Sequence, residues 1–198
     1  MELVIASTNL HKIREFREML KFLKGIELLS LLDFPDYEAP EETEPSFFGN
    51  AALKARKASS TLKKWALADD SGLVVPRLQG APGVYSARYA GENATDSDNR
   101  KKLLDAMKHM TDIDRSAYFE CCLVLCSPEG QEKSVTGTCE GYLITEERGR
   151  NGFGYDSLFI KNGYDKTFAE LKEDIKNRIS HRYKALEKLS LVIESLKL

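Results

Sequence analysis

Leu3-Val4-Ile5-Ala6-Ser7-Thr8-Asn9-Leu10-His11-Lys12 is the stretch that decides the fold class. Its first four residues form the short apolar run of a buried strand, and Ser7, Thr8 and Asn9 are all helix N-cap types. Ile13, Phe16, Leu20 and Leu23 then recur at i, i+3, i+7 and i+10, which gives a helix with one apolar face. Gly25 stops that helix, and Ile26 to Leu31 reads as a second strand. Strand, turn, helix and strand in this order open an α/β sheet.

The rest of the chain extends the pattern. Asp33 to Ser46 is acidic, holds three of the six prolines and shows no apolar period, so it reads as a loop. A second helix is expected from Ser46 to about Lys64, packing through Phe47, Ala51, Ala55, Ala58 and Leu62. Trp65 to Ala68 reads as a short strand entering a turn at Asp69-Asp70-Ser71-Gly72, with extended chain resuming over Leu73 to Val75. Gly80 to Gly91 and Arg148 to Gly154 are glycine-rich loops, and a third helix is expected over Asp96 to Met110. Ala117 to Cys126 and Lys133 to Ile144 flank Ser127-Pro128-Glu129-Gly130 as an antiparallel hairpin. A last helix is expected from Ser180, with Leu186, Leu189, Ile193 and Leu196 as its stripe. The whole predicts an α/β fold with a mixed central sheet and flanking helices.

The 198 residues suit one domain, or two lobes around a shared core, and can bury a core without staples. The chain is 42% hydrophobic and 30% charged, a soluble profile. A net charge of -2 supplies no bulk positive field for nucleic acid, so a polyanionic ligand needs a local basic cluster. Cys121, Cys122, Cys126 and Cys139 form no CxxC pair and read as reduced core residues. Met1 leads directly into a strand, with no signal peptide in view, and no apolar run nears the ~20 residues of a membrane helix. A cytoplasmic location is expected, with neither membrane nor nucleic acid as partner.

Several segments can carry chemistry. Backbone N–H groups at the helix start after Ser7-Thr8-Asn9, with Lys12 beside them, suit an anion, although a plain helix cap gives the same residues. GxxxxGK[ST] is absent. Glu41-Glu42-Thr43 either ligates a cation or is solvated. Asp69-Asp70-Ser71-Gly72 sits among Leu67, Ala68, Leu73 and Val74, where two carboxylates are costly unless paired or metal-bound. Its alternative is a turn whose side chains cap backbone donors. Asn50 and Lys54 are i, i+4 on one helix, and Lys54 either reaches a phosphate or snorkels. Asn151-Gly152-Phe153-Gly154-Tyr155-Asp156 offers rings to stack on a base and a carboxylate to accept from a ring N–H, or else plugs the core. Lys176-Asn177-Arg178-Ile179-Ser180-His181-Arg182 places positive charge at an expected helix start, where it opposes the dipole and calls for an anion. His11, His109 and His181 are too scattered for a zinc site. The remaining donors, Glu42, Asp69, Asp70 and phosphate oxygen, suit Mg²⁺ or Mn²⁺.

Seven segments in order resemble one family. They are Ser7-Thr8-Asn9 with Lys12, Glu41-Glu42-Thr43, Phe47 to Lys54, Ala68-Asp69-Asp70-Ser71-Gly72-Leu73, Ala81 to Tyr89, Phe153-Gly154-Tyr155-Asp156, and Ile179-Ser180-His181-Arg182. Together they are similar to the inosine/xanthosine triphosphate pyrophosphatases, the Ham1-like enzymes of non-standard purine nucleotides. The resemblance covers nearly the whole chain. It implies one domain over residues 1–198, with two lobes around a nucleotide-binding cleft, and hydrolysis of ITP, dITP or XTP to monophosphate and diphosphate.

The family pattern also implies roles. Ser7, Thr8, Asn9, Lys12, Lys54 and Ser71 would hold the triphosphate. Glu42, Asp69 and Asp70 would bind Mg²⁺, with Mn²⁺ as a substitute, and Asp70 would be the general base. Phe153, Gly154, Tyr155 and Asp156 would stack on and bound the base, and Lys176, His181 and Arg182 would complete the base and sugar pocket. A homodimer is implied as well. One departure stands out: Ser157 occupies the position where the family usually has proline. Three rivals remain. A diphosphatase of other base range differs in its substrate panel. A non-catalytic purine nucleotide-binding module does not need the paired carboxylates, and a purely structural protein leaves the basic cluster unexplained.

Overall fold

The first strand, β1 (Glu2–Ile5), runs through Asn9 into α1 (Leu10–Leu20), and β2 (Glu27–Ser30) follows, parallel to β1. This is a computed structural model; it describes residues 2–21 and 25–195, so Leu23 and Leu196 of the expected apolar stripes lie outside the described residues. The acidic stretch before α2 (Phe47–Leu62) is irregular, and the Ser46 hydroxyl caps α2 by accepting the Gly49 N–H at 3.0 Å. The strand β3 (Trp65–Val74) lies parallel to β1 on the side away from β2. Its ten residues run straight through Asp69-Asp70-Ser71-Gly72, where a turn was expected. Both aspartates are buried and held by lysines, so the chain has no need to turn them out to water.

The helix α3 (Asp96–Ala106) starts at Thr95, which forms a capping box with Asp98. It stops short of the expected Met110: the Met107 N–H closes the last turn, and the Met107 carbonyl accepts from Arg115. Two long strands follow, β4 (Ser116–Cys126) and β5 (Glu132–Leu143). They are sheet neighbours joined by a short turn, which only antiparallel strands allow. A short β6 (Phe159–Lys161) pairs antiparallel with β5. The sheet order is β2-β1-β3-β4-β5-β6, so the expected mixed α/β sheet is present.

At the C-terminal end there are two helices where one was expected. They are α4 (Glu173–Ile179) and α5 (His181–Ser195), separated by Ser180. Lys176 and Arg178 therefore lie in the last turn of α4, where the dipole favours cations, and only His181 and Arg182 open a helix. Lys176 thus needs no anion to offset a dipole, and its partner is the Asp156 carboxylate.

The chain divides into two compact units. The first is Met1–Asp70, Cys121–Gly137 and Tyr183–Leu198; the second is Ser71–Glu120 and Thr138–Arg182. In the first, Ile13, Phe16, Met19 and Leu20 of α1 pack with Leu3, Ile5, Leu67, Cys121, Leu123 and Leu189. Each such fully buried large side chain contributes roughly 2 kcal/mol. In the second, Phe119, Phe159 and Phe168 pack together with Leu73, Leu103 and Leu143. The four cysteines are reduced and buried, as expected. Among the described residues no helix is long and apolar enough to cross a membrane.

Candidate active site

In the first unit, the strand-to-helix turn is organised by its own side chains. Ser7 Oγ accepts the Asn9 N–H at 3.1 Å, and Asn9 Oδ1 accepts those of His11 at 3.0 Å and Lys12 at 3.2 Å. Asn9 is thus the N-cap of α1. Thr8 and Asn9 are exposed, so the α1 terminus is open to an incoming ligand. Lys12 turns to Asp69, with Nζ 3.0 Å from Oδ2.

Successive side chains of a strand leave on opposite faces. Asp69 shares its face with Leu67, which packs on α1, and meets Lys12 of that helix. Asp70 takes the other face and meets α2: Asn50 Nδ2 donates to Asp70 Oδ2 at 3.2 Å, and Lys54 Nζ stands 3.4 Å from Asp70 Oδ1. The same Lys54 donates to Glu42 Oε1 of the acidic loop at 2.7 Å. Lys54 therefore does not snorkel; its side chain is only 13% exposed. Asp69, named beside Asp70 as a metal ligand on sequence, pairs with Lys12 of α1, while its charge still acts on both Asp70 and Lys54.

Burial pushes the Asp70 carboxyl above the usual carboxylate range; Lys54 pulls it back only in part, and Glu42 and Asp69 add to the rise. For Lys54 burial works against the ammonium, but Asp70, Asp69 and Glu42 outweigh it and hold its pKa above the ordinary value. One cation is already held between Glu42 and Asp70, oxygen donors from two different segments. That environment fits a hard cation. Among the described residues no three His, Cys, Asp or Glu side chains form a metal-binding group. Two carboxylate oxygens of this kind suit a hard divalent cation that fills its remaining positions with water and phosphate oxygen.

In the second unit, Asp156 organises the other half of the motif set. Its Oδ2 accepts from Lys176 Nζ at 2.6 Å and from the Phe153 N–H at 3.0 Å. A Cβ at Gly152, where φ is +77°, would fall 2.1 Å from that oxygen, so glycine is required there. Lys176 Nζ also lies 4.8 Å from the Phe153 ring centroid, a cation–π contact. The Tyr155 ring is buried in the core and its hydroxyl donates to the Ser86 carbonyl, so only its backbone is left to meet a ligand. His181 stacks on Phe119, with centroids 4.9 Å apart. Arg182, 1% exposed, brings Nη2 to 3.4 Å from Ser71 Oγ. Gly154 is held by α3, whose Asp96 accepts its N–H at 2.7 Å and whose Arg100 donates to its carbonyl at 2.8 Å. Ser157, standing in the expected proline position, donates to Glu147 Oε2 at 3.0 Å, a tether proline could not make.

Sequence reasoning assigned no role to Asn50, Asn177, Asp96 or Arg100. The i, i+4 pairing of Asn50 with Lys54 was a usable signal. Asn177 is 5% exposed and neither polar atom of its side chain has a hydrogen-bond partner. It lies beside Lys176, but nothing in the local pattern marked it.

The Ham1 family profile matches residues 3–191. A dITP/XTP pyrophosphatase of Protochlamydia amoebophila is 59% identical over 198 residues, covering 100% of both chains. One from Chlamydia abortus is 52% identical, covering 99% of this chain and 96% of the relative. Among solved structures, a HAM1 protein from Coxiella burnetii superposes with a TM-score of 0.89 at 43% identity, covering 98% of this chain and 99% of its own. The Staphylococcus aureus Ham1 protein gives 0.87 at 40%, with the same coverage. Profile, full-length relatives and fold agree with one another, and on those grounds the chain belongs to the Ham1 family.

Proposed function

We propose that this chain hydrolyses the α–β anhydride of non-standard purine nucleoside triphosphates, dITP, ITP and XTP, releasing monophosphate and diphosphate with Mg²⁺. The observation that carries the reading is Lys54 held between Glu42 and a buried Asp70 whose carboxyl is pushed up. The full-length relatives named for dITP and XTP support the substrate class.

Glu42 and Asp70, with Asp69 behind them, would hold Mg²⁺, with Mn²⁺ as a substitute, and the bound ion would supply neutralisation of the phosphate charge. Asp70 accepts a proton from the water that attacks the α-phosphorus, and the bond to the bridging oxygen breaks as diphosphate leaves. Lys54 and Lys12 oppose the charge gathering on the leaving diphosphate, with Ser7, Thr8, Asn9 and Ser71 as hydrogen-bonding partners of the triphosphate. Phe153 supplies a ring face for the base, the backbone of Gly154 and Tyr155 lines it, and Asp156, Lys176, His181 and Arg182 set its polar edge.

The test is product identification with ITP, XTP, GTP and ATP. Diphosphate release from ITP and XTP with Mg²⁺, abolished by EDTA and weak with ATP, is expected. Release of single phosphates, or binding without turnover, overturns the reading. The same reading puts the enzyme in the cytoplasm, where its substrates arise, and makes it a homodimer. Ile113 and Tyr142, 83% and 38% exposed, line one groove of the second unit and are large apolar groups for such a contact. Light scattering of the wild-type chain and of Ile113→Glu tests it.

A further inference from the structure

We propose that Asn50 is a positioning residue for this reaction: one buried amide holds both the Asp70 carboxylate and the backbone of the acidic loop, and so sets Asp70 against Glu42. The inference rests on the reading of Asp70 given above. Asn50 is 0% exposed, one turn before Lys54 on α2. Its Nδ2 donates to Asp70 Oδ2 at 3.2 Å, and its Oδ1 accepts the Glu44 N–H at 2.9 Å. The partners fix the amide orientation, since a carboxylate only accepts and a backbone N–H only donates. No aspartate, serine or alanine supplies the same pair of contacts.

The consequence for Asp70 is geometric. Its two oxygens have different partners, Asn50 on Oδ2 and Lys54 on Oδ1, so the carboxylate cannot rotate without losing one. The consequence for the loop is equally specific. Glu44 is tied to Asn50, and two residues earlier Glu42 reaches Lys54. Gly49 makes this approach possible: a Cβ there would lie 2.7 Å from Glu44 Cβ and 3.0 Å from its Cγ and Oε2. Gly49 and Asn50 act together as a latch that keeps the acidic loop on α2, while Lys54 adds the charge at the same place.

Three variants separate the two arms of the latch. Asn50→Asp keeps an acceptor for the Glu44 N–H and removes the donor to Asp70. Gly49→Ala displaces Glu44 and leaves the amide in place. Asn50→Ala removes both contacts. With ITP and Mg²⁺, Asn50→Asp and Asn50→Ala should lose kcat on the order of 100-fold, the scale of a misplaced reacting group, with little change in KM. Gly49→Ala should weaken Mn²⁺ binding to the substrate-free protein, measured by calorimetry. Hydrogen exchange at the Glu44 amide should be slow in the wild-type chain and in Asn50→Asp, and fast in Asn50→Ala. Should Asn50→Ala fail to fold, the other two variants and the wild-type exchange decide alone. Wild-type kcat in Asn50→Asp, or a Glu44 amide exchanging as fast as that of Glu41 in the wild-type chain, overturns the proposal. A wild-type chain that does not turn over ITP refutes the catalytic reading instead, and the exchange result still judges the latch.

Discussion

Asp69 and Asp70 are adjacent in the chain, yet their carboxylates leave β3 on opposite faces, one to Lys12 of α1 and the other to Asn50 and Lys54 of α2. The arrangement follows from strand alternation and from the two helices covering opposite sides of the sheet. Right-handed crossovers from β1 to β2 and back to β3 require that placement.

The two aspartates should therefore fail differently. Asp70→Asn removes the proposed base and should lower kcat by at least ~100-fold. Asp69→Asn keeps the Asn50 and Lys54 contacts of Asp70 and releases Lys12, so its main effect should fall on KM for ITP. Steady-state kinetics of the two variants at saturating Mg²⁺ makes the comparison. Equal losses of kcat would show both carboxylates acting at one centre.

A stability difference follows from the raised pKa of Asp70. The unfolded carboxyl titrates near its ordinary value of 3.8, and the folded one above it. Between the two, the folded chain keeps a proton that the unfolded chain has released. Stability therefore falls as pH rises through that window and stays lower above it. Asp70→Asn has no such loss, and Lys54 keeps its bond to Glu42. In EDTA, the variant and wild-type Tm values should nearly coincide at about pH 4. At alkaline pH the variant should melt higher than the wild-type chain. A gap that closes as pH rises would contradict the sign.

How far the sequence could be read depended on the range of the contacts involved. A cap for α1 within Ser7-Thr8-Asn9, the start of α2 at Ser46 and the β4–β5 hairpin were all legible, because each depends on residues a few positions apart. The expected turn at Asp69 to Gly72 was not real, because its cause, ion pairs to Lys12 and Lys54, lies far away in the chain. The start of the last helix at Ser180 was legible as well, whereas α4 was not anticipated, because its seven residues are too few to show an apolar stripe. Lys176 and Asp156 were both singled out, yet their mutual contact was invisible at a separation of 20 residues. Asn50 was seen beside Lys54, but its hold on Glu44 needs the folded loop.

Arg115 provides a stability test away from the chemistry. Its buried guanidinium donates to three carbonyls, Met107 at 3.1 Å, Leu143 at 2.6 Å and Ile144 at 2.7 Å, tying the end of α3 to the end of β5. Burial lowers its pKa, with Asp112 opposing in part. Arg115→Met should cost about 3 kcal/mol in urea unfolding, because it leaves buried acceptors without their donor. Arg115→Lys should recover little, since a point ammonium cannot span the three acceptors that the planar fork reaches. ITP turnover per folded molecule should be unchanged in both; a loss of kcat would place Arg115 in the active machinery.

Base selection should depend on Arg182. Hypoxanthine and xanthine present a 6-oxo acceptor where adenine presents a 6-amino donor. A guanidinium can only donate, and this one is 1% exposed, so a mismatched base leaves its N–H groups facing another donor without water to relieve them. A hydrogen bond from a charged group is worth about 1.5–3 kcal/mol, so Arg182→Ala should lower the ITP-to-ATP ratio of kcat/KM by roughly 10- to 100-fold. The loss should come from ITP, with ATP hydrolysis little changed or improved. Lys176→Met is the companion measurement, since it removes the cation over Phe153 and leaves Asp156 buried without its ion pair. If the ratio is unmoved by Arg182→Ala and falls in Lys176→Met, the base is read through Lys176 and Asp156, and Arg182 serves only to hold Ser71.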